Sequence, residues 1–73
     1  MANIEVKTEV AGIVWKIVAG AGDVVSEDDA VIILESMKME IPISAPASGT
    51  VLEILVAEGE TVPEGAVVAR MRT

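Results

Sequence analysis

The chain predicts an all-β domain, a small sandwich or flattened barrel, and three observations carry that prediction. Its apolar residues come in short runs rich in Val and Ile, such as Ile13-Val14-Trp15-Lys16-Ile17-Val18 and Val31-Ile32-Ile33-Leu34. Glycine, proline and short polar clusters separate those runs at regular intervals. Nowhere do apolar residues recur at helical spacing long enough to make a helical face.

Taken in order, Ile4-Glu5-Val6-Lys7 alternates apolar and polar, as a half-buried strand does. Thr8 to Gly12 is less regular. Ile13 to Val18 is β-branched and apolar, hence a strand, and Gly20-Ala21-Gly22-Asp23 ends it. Val24-Val25 is a short apolar pair. Ser26-Glu27-Asp28-Asp29 is a turn of short polar residues that can bond their own backbone. Val31 to Glu35 and Met39 to Ser44 are strands on either side of a reversal. Pro42 cannot donate to a ladder, so its strand lies at an edge or carries a bulge. Pro46-Ala47-Ser48-Gly49 turns again, Val51 to Val56 is strand-like, and Glu58-Gly59-Glu60 breaks it. Thr61-Val62 is short, Pro63-Glu64-Gly65 turns, and Ala66 to Met71 is the last strand.

The two halves repeat. A shift of 37 positions lays Gly12 on Gly49, Val14 on Val51, Gly22 on Gly59, Val25 on Val62 and Val31 on Val68 without a gap. Ile4 then falls on Ile41 and Val6 on Ile43. Chance agreement in a Val-rich chain would not keep the turn glycines in step, so two similar structural halves are expected. If a two-fold axis relates them, the connection at Met37-Lys38 corresponds to the break where the chain starts and ends. Lys38 and the termini are then expected at opposite ends.

Seventy-three residues make one small domain, residues 1–73, with a limited core. There is no cysteine and no histidine, which excludes disulfides, thiol chemistry and Ser-His or Cys-His catalysis. No constellation of acid, base and nucleophile stands out, so no catalytic residue is expected. The absence of Cys fits a cytoplasmic location. A net charge of −7 and a single aromatic residue, Trp15, argue against nucleic acid and anionic membranes. No apolar run approaches the ~20 residues of a membrane helix, and Met1 to Glu5 does not read as a signal peptide. Trp15 reads as a core or partly buried sheet residue rather than a ligand site. The acidic run Glu27-Asp28-Asp29 reads as a solvated turn, and no metal ligands are assigned.

The stretch Glu35-Ser36-Met37-Lys38-Met39-Glu40 is the candidate site. The chain must reverse there, yet it offers none of the Gly, Asn or Asp that two-residue hairpin turns favour. A tip that gives up good turn chemistry is expected to need the side chains that stand on it. Met37 and Met39 read either as adaptable partner contacts or as gap-fillers at the end of the sandwich. Glu35 reads either as a residue with a role at the tip or as a solvated strand residue.

These residues resemble the biotinyl domains, the biotin carboxyl carriers. The family's attachment motif, Ala-Met-Lys-Met after a Glu, is matched by Glu35-Ser36-Met37-Lys38-Met39. Gly22-Asp23-Val24-Val25 upstream, and Ile41, Ile43, Ala45-Pro46 and Gly49-x-Val51 downstream, fit the same pattern over the whole chain. Ser36 stands where the family often has Ala, and Asp28 where it often has Gly at a position expected to need a left-handed backbone. The resemblance implies two four-stranded antiparallel sheets with pseudo-two-fold symmetry. It implies biotin held in amide linkage on Lys38 by a biotin protein ligase, with Met37, Met39, Glu35 and Ser36 read by ligase and partners. It further implies a carboxyl group carried between a biotin carboxylase and a carboxyltransferase, most simply for an acyl-CoA such as acetyl-CoA. The chain would then be a carrier and not a catalyst. The rival readings are a lipoyl carrier, whose tip usually reads Asp-Lys-Ala or Asp-Lys-Val, and an unmodified structural module of the same fold.

Overall fold

The computed structural model describes residues 2–73. It contains eight strands and, among the described residues, no helix. They are β1 (Asn3–Lys7), β2 (Gly12–Ile17), β3 (Val24–Val25), β4 (Ala30–Ser36), β5 (Met39–Ser44), β6 (Gly49–Ile54), β7 (Thr61–Val62) and β8 (Val67–Arg72). They form two four-stranded sheets with antiparallel pairing, in the orders β1-β8-β6-β3 and β5-β4-β2-β7. The second is called the lysine sheet below, because β4 and β5 flank Lys38. Strand bounds agree with the sequence reading to within two residues, the largest difference being β6, which starts at Gly49, read as a turn residue, and stops at Ile54, two residues early at each end.

The 37-residue repeat is a swap of the sheets. Moving β1, β8, β6 and β3 by that shift gives β5, β4, β2 and β7 in the same order. The core obeys it pairwise: Val6 with Ile43, Val14 with Val51, Val25 with Val62, Val31 with Val68, Ile32 with Ala69 and Leu34 with Met71 are all buried. So do the turns. The Gly22 N–H donates to the Val51 carbonyl at 2.7 Å, and the Gly59 N–H to the Val14 carbonyl at 2.7 Å. Asp28 sits at φ 73 and its counterpart Gly65 at φ 82, so Asp28 does hold the left-handed backbone expected of it. In the acidic turn, the Ser26 N–H donates to Asp29 Oδ2 at 2.9 Å, which closes the turn on its own backbone.

Two glycines set how closely the strands approach. A Cβ on Gly12 would stand 2.8 Å from the Glu35 carbonyl oxygen, and one on Gly49 would fall on the carbonyl oxygen of Arg72. Bare backbone at these points lets β2 enter beside β4 next to the reversal, and β6 enter beside β8 near the C-terminal residues.

That registry places the ends. Gly12 begins β2 beside Glu35, three residues from Lys38. The chain then runs to Val24-Val25, which pair with Thr50-Gly49, and Gly49 adjoins Arg72. Arg72 pairs with Asn3. The chain thus travels from the lysine end to the terminal end of a molecule 36 Å long and about half as wide. Lys38 lies at the end opposite Ala2 and Thr73, the first and last described residues, as the repeat predicts. Pro42 lies on β5, an edge strand, where its missing N–H costs no ladder bond.

Candidate functional site

The reversal between β4 and β5 is two residues long, Met37 and Lys38, closed by the pair Ser36 and Met39. Both turn residues have positive φ, 53 for Met37 and 64 for Lys38. This is the I′ pattern, whose twist matches the flanking strands and which ordinarily takes Asn-Gly. An L residue with a side chain pays roughly 1–2 kcal/mol in that region. Two such residues in succession mark a tip held against its own preference by the sheet behind it.

A second local cost stands beside the first. Glu35 lies directly opposite Glu40 across β4 and β5, and both are exposed. Like charges facing each other across a ladder destabilise it. Glu40 belongs to the stretch read from the sequence as the candidate site, and the register of the two strands sets it against Glu35.

The support beneath is apolar and rigid. Leu34 is fully buried and pairs with Val14 on one side and Ile41 on the other. Above it the tip emerges quickly: Ser36 is half-buried, Met37 is 92% exposed and Met39 62% exposed. The methionines therefore do not fill gaps in the sandwich, and of the two readings only that of exposed contact residues agrees with their position. Lys38 is exposed. The ion pairs among the described residues are Lys7 with Glu5 and Arg70 with Glu53, so neither neighbouring glutamate captures the Lys38 ammonium. The result is one primary amine on a short, fixed hairpin, with clear space around it. That geometry suits a group joined through an amide to the side chain.

Trp15 departs from a core position. It is the extra residue of a bulge in β2, between the pairs Val14–Leu34 and Lys16–Ile33. The bulge turns Trp15 and Lys16 both outward, and Trp15 is 48% exposed on the outer face of the lysine sheet. Thr8, in the irregular stretch after β1, is buried instead. Its hydroxyl donates to the Val10 carbonyl at 2.6 Å and accepts from the Val10 N–H at 3.1 Å, which satisfies it without a strand.

Comparison with known proteins returns one consistent answer. A family model described as "Biotin-requiring enzyme" matches residues 4–71. A biotin/lipoyl attachment protein of Bacillus subtilis is 47% identical over 66 residues, which are 90% of each chain. A urea amidolyase of Saccharomyces cerevisiae is 40% identical over 68 residues, which are 93% of this chain but 4% of the relative. The crystal structure of the Kluyveromyces lactis urea carboxylase superposes with a TM-score of 0.93 at 39% identity, covering 99% of this chain and 6% of that one. The same unit thus spans nearly the whole of the Bacillus protein and a small fraction of the large ones.

Proposed function

This chain belongs to the biotin/lipoyl attachment family, and from that premise we propose that Lys38 is the residue on which it carries biotin. It is a biotin carrier domain of the kind found in biotin-dependent carboxylases, and not itself a catalyst. One observation carries the assignment to Lys38: the amine stands exposed on a strained two-residue turn, at the end of the molecule opposite the termini.

In the loading step, the deprotonated Lys38 amine adds to the acyl carbon of an activated carboxyl ester presented by a biotin protein ligase. A C–N bond forms, the C–O bond to the leaving group breaks, and the ammonium proton passes to water or to a base of the ligase. The side chain loses its charge, as in lysine acetylation. Biotin, once bound, supplies the chemistry of accepting a carboxyl group and giving it up again. The protein supplies placement. The Leu34 layer fixes the hairpin, Gly12 keeps β2 close beneath it, and Met37 and Met39 offer soft surfaces that adapt to more than one partner. Glu35 and Ser36 complete the face that the ligase, the biotin carboxylase and the carboxyltransferase read.

In this reading the acceptor is chosen by the transferase. An acyl-CoA such as acetyl-CoA is the first acceptor to test. Relatives named biotin carboxyl carrier protein of acetyl-CoA carboxylase and biotin-dependent acyl-coenzyme A carboxylase subunit support it, while relatives named urea amidolyase and pyruvate carboxylase share the domain. The proposal places the carrier in the cytoplasm, where ATP and CoA esters are both at hand. A lipoyl carrier is the second reading, favoured by the name of the Bacillus relative. Intact mass after co-expression with a biotin ligase in biotin-fed cells decides between them, since the two acyl groups differ in mass. The biotinyl increment is expected on the native chain and absent from Lys38→Arg. An increment retained in Lys38→Arg, or a lipoyl increment instead, would overturn the assignment.

A further inference from the structure

The pseudo-two-fold provides an internal control for the surface around the lysine. On the outer face of the lysine sheet the central row across three strands is Pro42, Ile33 and Lys16. Its counterpart on the other sheet is Glu5, Arg70 and Glu53, with Arg70 Nη1 donating to Glu53 Oε1 at 3.0 Å. Ile13 likewise stands where the other sheet has Thr50, and Trp15 where it has the smaller Leu52. The fold accepts a fully charged row at this position, so the apolar Pro42 and Ile33 beside Lys16 on the lysine sheet are not demanded by folding. Ile13 is 45% and Trp15 48% exposed, and Ile33 between them is only half-buried. Ile13 faces Glu35, three residues from Lys38, or about 10 Å along a strand.

Carboxylates rim this patch. Glu35 and Glu40 border it towards the tip, and Glu58 lies at its other margin, where its Oε2 accepts from the Ile17 N–H at 3.1 Å. Lys16 is the one cation within it. A second copy of a chain of net charge −7 would bring these rims together and meet repulsion. The complementary partner has an apolar platform edged with basic side chains.

The geometry points to one occupant, the enzyme that acylates Lys38, docking on Ile13, Trp15, Ile33 and Pro42. This rests on the reading of Lys38 as the loaded residue. An enzyme that takes the bare amine into its active site must bring its own surface down on the strands beside the turn. Once an arm is attached, later partners can act from farther away. The patch is therefore a docking surface for loading, and its side chains position the lysine without touching the reacting atoms.

The test replaces the row with its own two-fold counterpart, Lys16→Glu, Ile33→Arg and Pro42→Glu together, and pairs it with Glu53→Lys/Arg70→Ile on the other sheet. Steady-state loading is measured with a bacterial biotin protein ligase, biotin and ATP, alongside thermal melting. The triple variant is expected to raise KM for the carrier about tenfold or more, with kcat within about twofold and a cooperative melt. The double variant is expected to leave both constants unchanged. Should the triple variant fail to fold, Trp15→Ser alone is expected to raise KM about tenfold. An unchanged KM in the folded triple variant or in Trp15→Ser overturns the docking surface, as does a fall in kcat alone. A native dimer that Trp15→Ser dissociates assigns the face to a second copy and overturns it too. If the native chain itself takes no biotin in the same assay, the reading of Lys38 fails first and the docking surface falls with it.

Discussion

At one end of the molecule β4 and β5 are joined through Met37-Lys38, and Glu35 faces Glu40. At the other end β8 and β1 lie in the equivalent register, and Arg72 faces Asn3. The Thr73 N–H donates to the Ala2 carbonyl at 2.9 Å, in the place that the Ser36–Met39 pair holds at the lysine end. Backbone and core are therefore matched, and the surfaces are not. The terminal end has no facing carboxylates. Its sheet carries the ion pair Arg70–Glu53 where the lysine sheet carries Ile33 and Lys16. What differs between the ends of a symmetric scaffold is what folding did not require. Those differences gather around Lys38.

The sharpest way to break the comparison is through the two close approaches. Gly49→Ala and Gly12→Ala each force a methyl group onto a carbonyl and are expected to destabilise by about 1–3 kcal/mol, Gly49→Ala the more. Chemical denaturation measures both. Gly12→Ala alone is expected to slow biotin loading as well, because it displaces the backbone of Glu35 and Ser36. Equal slowing by both would mean that the ends are coupled through the whole sandwich.

A smaller change of opposite sign comes from giving the lysine end the turn its geometry asks for. Met37→Asn with Lys38→Gly relieves two left-handed side-chain residues and is expected to gain roughly 1–2 kcal/mol. The same protein loses its attachment point. A melting temperature that does not rise would show that the tip carries no strain. The smallest effect is expected at Asp28→Gly, which copies Gly65 into the first half. It should give between no change and about 1 kcal/mol of stabilisation by thermal melting. A marked loss would mean that the Asp28 side chain itself holds the turn.

Much of this was legible from residue order. The glycines that keep step across the repeat are the ones the backbone needs, Gly12 and Gly49 for close approach, Gly22 and Gly59 for positive φ. Asp28 was legible for the same reason, since its partner in the repeat is Gly65. The reversal at Met37-Lys38 stood out because its residues contradict the turn they form. For Trp15 the sequence left core and partly buried sheet positions open, and the structure gives the second. The choice was not legible because a bulge interrupts the two-residue alternation on which strand reading depends, and bulges belong to the pairing of strands. Glu40 stood in the candidate stretch, but its place opposite Glu35 was not legible for a related reason: only the register with β4 sets it there. Thr8 stood in a stretch read only as less regular, and no periodicity marks a hydroxyl that bonds the residue two places on.

The interleaving of the halves has a consequence for how the carrier is made. Each sheet takes two strands from either half, and the lysine sheet is finished only when Thr61-Val62 lies against Gly12-Ile13. A nascent polypeptide that has emerged as far as Glu40 holds the right six letters with no platform under them. A ligase that reads a folded face, as proposed above, thus acts on chains in which Thr61-Val62 has already closed on Gly12-Ile13. Unfinished ones pass it by, and the vitamin is not spent on chains that never reach their shape.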